Sequence, residues 1–85
     1  MSVTAEIRER LVNDFAPEAL EVIDESESHR GHAGFREGGE SHFRVRMQAG
    51  RLAGLSRLQR PRAVHAALGP ELIGRIHALA LELTD

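Results

Sequence analysis

The sequence predicts a single small α+β domain in which helices cover one face of a three-stranded mixed sheet. Three observations predict it. Eighty-five residues leave room for one hydrophobic core and no second. SHFRVRMQ (residues 41–48) alternates apolar and polar side chains with the period of a half-buried strand. Val3, Ile7 and Leu11 recur at the spacing of one helix face.

The elements follow in order. The first helix spans Val3 to Phe15, with Val12 and Phe15 beside the apolar stripe and Glu6, Arg8, Glu9 and Arg10 on the wet side. Ser2 or Thr4 can cap it, and Ala16-Pro17 stops it, because the residue before a proline is pushed out of helical dihedrals. Ala19–Asp24 (ALEVID) is a short strand rich in β-branched residues. Residues 25–40 form a long polar loop holding four of the eight glycines, and a loop of that length in so small a domain points to function or disorder. In the next strand Phe43, Val45 and Met47 face the core, and His42, Arg44, Arg46 and Gln48 face away. After a turn around Ala49–Gly54, a helical segment opens at Ser56 and reaches Leu68, with Leu58, Val64, Ala67 and Leu68 inward; Pro61 moves the start of regular helix to about Arg60. Gly69-Pro70 ends that helix and begins a short one reaching Gly74. Arg75–Leu83 is the last strand, with His77, Leu79, Leu81 and Leu83 on one face and Ile76, Ala78 and Ala80 on the other. The order is α-β-β-α-α-β. Strands joined by a loop pair antiparallel, and the helical crossover returns the third strand parallel.

Composition narrows the function. The chain is 41% hydrophobic and 28% charged, as soluble globular folds are. No apolar run approaches the length of a membrane span, and MSVTAEIRER carries acids where a signal peptide would be basic. With no cysteine there is no disulfide, thiol nucleophile or thiolate ligand, and the expected address is a reducing cytoplasm. All eleven basic residues are arginine, so Schiff-base chemistry and a lysine-dependent phosphate loop are excluded. The net charge of −2 hides an asymmetry: residues 1–28 hold eight acids against two arginines, and residues 29–85 hold nine arginines against five acids. Arg51, Arg57, Arg60 and Arg62 lie in a stretch without acids that suits phosphates or an acidic partner, or simply a solvated helix face.

Five histidines are dense for this length. His29 and His32 lie in the Gly-rich loop, where imidazoles can converge, and His77 lies where helix gives way to strand. Neutral imidazole ligates zinc, copper and iron, although two histidines supply only half of a four-coordinate site. A site shared with a partner's thiolates is the alternative. The plainer readings are a solvated ring for each loop histidine, a packed hydrogen-bonded ring for His77, a structural or exposed ring for His42 and a ring covering core for His65. Gly31–Gly34 matches the GXXG of KH nucleic-acid domains, but it lies between two strands instead of two helices. Three Phe with no Tyr or Trp offer little for base stacking. No nucleotide fingerprint or catalytic triad spacing is present, which points away from an enzyme.

ALEVIDES, GGESHFRV, GLSRLQRPRAVHAAL and IHALAL, in that order, resemble the BolA-like proteins from about residue 4 to residue 84. The resemblance implies an α-β-β-α-α-β fold related to the second class of KH fold. It also implies a partner: a monothiol glutaredoxin with a CGFS motif, holding a [2Fe-2S] cluster jointly with glutathione. The BolA side then supplies the histidine of the IHAL motif, here His77, and one loop residue, His32 by its distance from GGESHF or else His29. Some bacterial members are DNA-binding regulators through the helix-turn-helix region and its RHR motif. Here that motif reads Arg60-Pro61-Arg62, so the central histidine is lost while flanking arginines, Arg57 among them, remain for phosphate contact.

Overall fold

The structure is a computed structural model that describes residues 2–26 and 40–85. Helix α1 is Val3–Phe15, and Ser2 Oγ caps it by accepting the Ala5 N–H at 3.1 Å. The Glu40 carboxylate accepts the Val3 N–H at 2.9 Å, so an anion sits on the positive end of the helix dipole. At the other end Ala16 takes left-handed dihedrals (φ 44, ψ 56) and its N–H donates to the Val12 carbonyl at 3.0 Å. Val3, Ile7, Leu11 and Phe15 form the buried stripe; Val12 falls outside it and is 46% exposed.

Strands β1 (Ala19–Asp24), β2 (His42–Gln48) and β3 (Ala78–Thr84) form one sheet in the order β1-β2-β3. β1 pairs antiparallel with β2, Val22 opposite Val45, and β3 pairs parallel with β2, Val45 opposite Leu81. This register sets Leu20, Val22, Phe43, Val45, Met47, Leu79, Leu81 and Leu83 on the face under the helices. The other face carries Arg44 and Arg46, with Glu82 accepting from both and Glu25 and Glu21 completing the row of ion pairs.

Ser56 and Gln59 form a reciprocal cap: Gln59 N–H donates to Ser56 Oγ at 3.1 Å, and Ser56 N–H to Gln59 Oε1 at 2.9 Å. Helix α2 then runs Gln59–Gly74, one residue ahead of the start the sequence suggests. Pro61 is its third residue, within the first turn, where amides have no intrahelical acceptor. Gly69 breaks the run with φ 84, ψ 154, a conformation costly for a side chain with a Cβ, so α2 contains the two helical pieces that Gly69-Pro70 predicts. The Arg10 guanidinium of α1 donates to the Leu68 carbonyl freed at this break.

Val64, Leu68 and Leu72 of α2 meet Ile7 and Leu11 of α1 over Phe43 and Val45, with Leu52 and Ala49 sealing one end. Leu58 is not inward but 61% exposed, because it precedes the helix and lies outside its apolar stripe. His65 lies within α2 but off its buried stripe of Val64, Leu68 and Leu72, so it is exposed and does not cover core. The last strand begins at Ala78, not Arg75, and His77 stands just ahead of it. Among the described residues no helix is long and apolar enough to cross a membrane.

Phe43 is 1% exposed at the centre of this core. Phe43→Ala is expected to cost about 3–5 kcal/mol of unfolding free energy in a denaturant titration.

Candidate functional site

The junction of α2 with β3 brings chemistry-bearing side chains together. Arg75 closes α2, donating to both Glu6 oxygens at 3.0 and 2.7 Å and to Glu71 at 2.6 Å. The Arg75 guanidinium holds the Glu6 carboxyl below the usual range, and the two carboxylates raise Arg75 in return. Two residues on, the N–H groups of His77 and Ala78 both donate to the Ser41 carbonyl, at 2.8 and 3.2 Å. The backbone of His77 is therefore tied to the start of β2 while its side chain is exposed. Its ring does not continue the Leu79–Leu83 face. It meets the ring of His42, on the opposite face, with centroids 5.0 Å apart and planes tilted by 51°. The pleat that assigns faces by alternation starts only at Ala78, after His77.

His42 is 4% exposed although it shares the outward face with Arg44. A chain of hydrogen bonds runs back from it. Ser41 Oγ lies 2.8 Å from His42 Nδ1 and 3.2 Å from Ser26 Oγ, and Ser26 Oγ lies 2.5 Å from Asp24 Oδ1. Asp24 Oδ1 also accepts the Ser26 N–H at 2.9 Å, an Asx turn, and Oδ2 accepts the Glu40 N–H at 3.0 Å. Ser26 Oγ further accepts the backbone N–H of Ser41 at 3.0 Å and of His42 at 3.3 Å. Burial alone would raise the Asp24 carboxyl, but the donors of Ser26 and Glu40 outweigh it and hold it below the usual carboxylate range.

Of the sequence-predicted ligands, His77 lies at this junction, and His32 and His29 lie outside the described residues. The predicted contact arginines sit at the opposite end of α2. Arg57 and Arg60 line a 270 Å³ hollow with Pro61, Leu81 and Leu83, and Arg62 lines a separate 220 Å³ hollow with Pro61 and His65. Arg60 is engaged within the fold: its Nε donates to the Leu55 carbonyl at 3.1 Å and its Nη2 to Asp85 at 3.2 Å. Arg57 and Arg62 are exposed, and neither makes an ion pair among the described residues. A 370 Å³ hollow between Glu21, Arg46, Glu82 and Thr84 lies at the far end of β2 from His42 and contains no histidine. Ser26, Ser41 and Asp24 were not singled out by spacing; the Asp-x-Ser of the Asx turn is the one local signal for them.

Ser26 is 1% exposed, and its hydroxyl joins Asp24 to the Ser41 hydroxyl and to the backbone N–H groups of Ser41 and His42. Ser26→Ala is expected to destabilise the fold by about 1–3 kcal/mol, measured by chemical denaturation. Asp24, Glu6 and Glu82 all have carboxyls lowered in the folded state. Their contribution is complete above the unfolded-state value, near pH 4, and is lost as pH falls through the lower folded values. Acid titration of Asp24→Asn should show a shallower loss of stability below about pH 4 than the parent.

The sequence pattern of the BolA-like protein family matches residues 11–85. Human BolA-like protein 1 is 50% identical over 80 residues, covering 94% of this chain and 56% of the human protein, so the chain spans about half of that relative's length. The DNA-binding transcriptional regulator BolA of Vibrio cholerae is 43% identical over 75 residues, covering 88% of this chain and 67% of that protein. The BolA domain of SufE1 from Arabidopsis thaliana superposes with a TM-score of 0.84 at 34% identity, covering 99% of this chain and 92% of that one. On sequence pattern, identity and superposed fold together, the chain belongs to the BolA-like family.

Proposed function

We propose that this chain is a non-catalytic partner of a monothiol CGFS glutaredoxin, with which it shares a [2Fe-2S] cluster in iron–sulfur assembly, trafficking or iron and redox sensing. The observation that carries the reading is His77: an exposed imidazole on a backbone pinned to Ser41 and backed by the Arg75–Glu6 clamp. The donor set suits half of a shared site. The chain has no cysteine, and among the described residues no three potential ligands converge on one point, so thiolates would come from the glutaredoxin and from glutathione. His77 would ligate one iron through a neutral ring nitrogen, with His32 or His29 as the second ligand from this chain. Bound there, the cluster would supply an exchangeable iron–sulfur unit and one-electron chemistry. Arg57, Arg62 and the loop between β1 and β2 would offer the docking surface, in a reducing cytoplasm.

DNA binding is the second reading, favoured by the name of the Vibrio relative and by the exposed side chains of Arg57 and Arg62, which make no ion pair among the described residues. Against sequence reading stand Pro61 within the motif, the engagement of Arg60 by Leu55 and Asp85, and the short helical piece after Gly69.

Anaerobic cluster reconstitution on a CGFS glutaredoxin with glutathione, with and without this protein, separates the two. The expected result is a new visible absorption and circular dichroism spectrum of a heterodimer, altered by His77→Ala and by one of His32→Ala or His29→Ala. An unchanged glutaredoxin spectrum with no complex contradicts the cluster reading. In that case, salt-dependent DNA binding weakened by substitution of Arg57 and Arg62 would support the second.

A further inference from the structure

We propose that the free edge of β3 accepts an extended acidic segment of a partner protein as a further strand of the sheet. The backbone groups that β3 leaves open come first. Ala78 N–H donates to the Ser41 carbonyl at 3.2 Å, and the Thr84 carbonyl accepts from Ala49 N–H at 3.0 Å. In a parallel ladder alternate residues make both bonds to the neighbouring strand, so Ala78, Ala80, Glu82 and Thr84 face β2. Leu79, Leu81 and Leu83 turn their N–H and C=O groups the other way, where the sheet ends. Among the described residues these groups make no hydrogen bond. Lysine, proline or a bulge commonly blocks such an edge. β3 has neither residue, and its register with β2 is unbroken from Ala78 to Thr84. Its one charge, Glu82, is held by Arg44 and Arg46 on the far face.

The side chains along this edge select the occupant. Leu79, Leu81 and Leu83 lie on the helix side of the sheet but are only half-buried, unlike Phe43 and Val45 beside them. Leu81 and Leu83 line the 270 Å³ hollow with Arg57, Arg60 and Pro61. Arg60 already holds an acid, Asp85, at 3.2 Å, whereas Arg57 is exposed and makes no ion pair among the described residues. A strand laid along Leu79–Leu83 would satisfy the open backbone groups, cover the leucines and bring its own carboxylates to Arg57. A second copy of this chain fits poorly: its β3 offers leucines on that face and no acid for the arginines. The opposite edge, β1, carries Glu21 and Asp24 and would repel an acidic segment. Nucleic acid fits less well than peptide, because a phosphate backbone does not alternate donors with acceptors and the hollow has no aromatic ring for a base.

The test uses the full-length protein and a capped, fluorescent seven-residue peptide, the length of β3, that alternates valine with glutamate. Saturable one-to-one binding by anisotropy is expected, with slower hydrogen exchange at the amides of Leu79, Leu81 and Leu83 and no change in β1. Arg57→Glu, made on an exposed side chain, should weaken binding by about tenfold. The same peptide N-methylated throughout keeps its charge, loses its donors and should not bind. No binding of the parent peptide, binding that survives methylation, or binding indifferent to Arg57→Glu overturns the proposal. So does single-stranded DNA bound in preference to the peptide. Protection of the three leucine amides that rises with protein concentration alone makes a second copy the occupant and equally overturns it. Iron, glutathione and glutaredoxin are absent throughout, so the outcome is independent of the shared-cluster reading.

Discussion

The carboxylate of Asp24, at the last position of β1, is the fixed point from which the histidine end of the molecule is built. One oxygen holds Ser26 by its amide and hydroxyl, and the other holds the amide of Glu40. Ser26 precedes and Glu40 follows the stretch between the first two strands, so a single side chain ties both of its ends to the sheet. From Ser26 the bonds pass to Ser41 and on to His42, and from Glu40 they pass to the first amide of α1. Ser41 also gives its carbonyl to His77 and Ala78, which starts β3 in register beside β2. Strand pairing, helix capping and the placement of two imidazoles share one anchor.

The two ends of α2 differ in kind. At its C-terminal end Arg75 is spent on Glu6 and Glu71, leaving His77 as the exposed polar side chain that follows it. At its N-terminal end Arg57 and Arg62 stay exposed while Arg60 is drawn onto Leu55 and Asp85. On the open face of the sheet Arg44 and Arg46 are matched by Glu21, Glu25 and Glu82. Among the described residues, Arg44, Arg46, Arg60 and Arg75 are thus paired with carboxylates within the fold, and a charge count overstates what these four present to a partner.

Much of the fold was legible because its signals are local. The stripe of Val3, Ile7 and Leu11, the alternation through Phe43, Val45 and Met47, and the Gly69-Pro70 break each act within a few residues, and α1 and β1 have the bounds that periodicity gives. Leu58 was misplaced because hydrophobicity says nothing about where a helix begins, and the Ser56–Gln59 cap decides that. The face of His77 was misplaced because alternation was extended past the first residue of β3. The site was legible only in part. His77 stands out in sequence, whereas the Asp24–Ser26–Ser41–His42 chain joins residues across the β1–β2 pairing, a contact no spacing rule encodes. The loop histidines His32 and His29 lie outside the described residues.

The central claim is that the Asp24 carboxylate anchors the histidine end of the molecule through the amides of Ser26 and Glu40. Amide hydrogen exchange of the parent protein beside Asp24→Ala reads it directly. The account predicts faster exchange at Ser26 and Glu40, and at Val3 through Glu40, with the buried amides of α2 still protected. Unchanged protection at Ser26 and Glu40 in Asp24→Ala would contradict it.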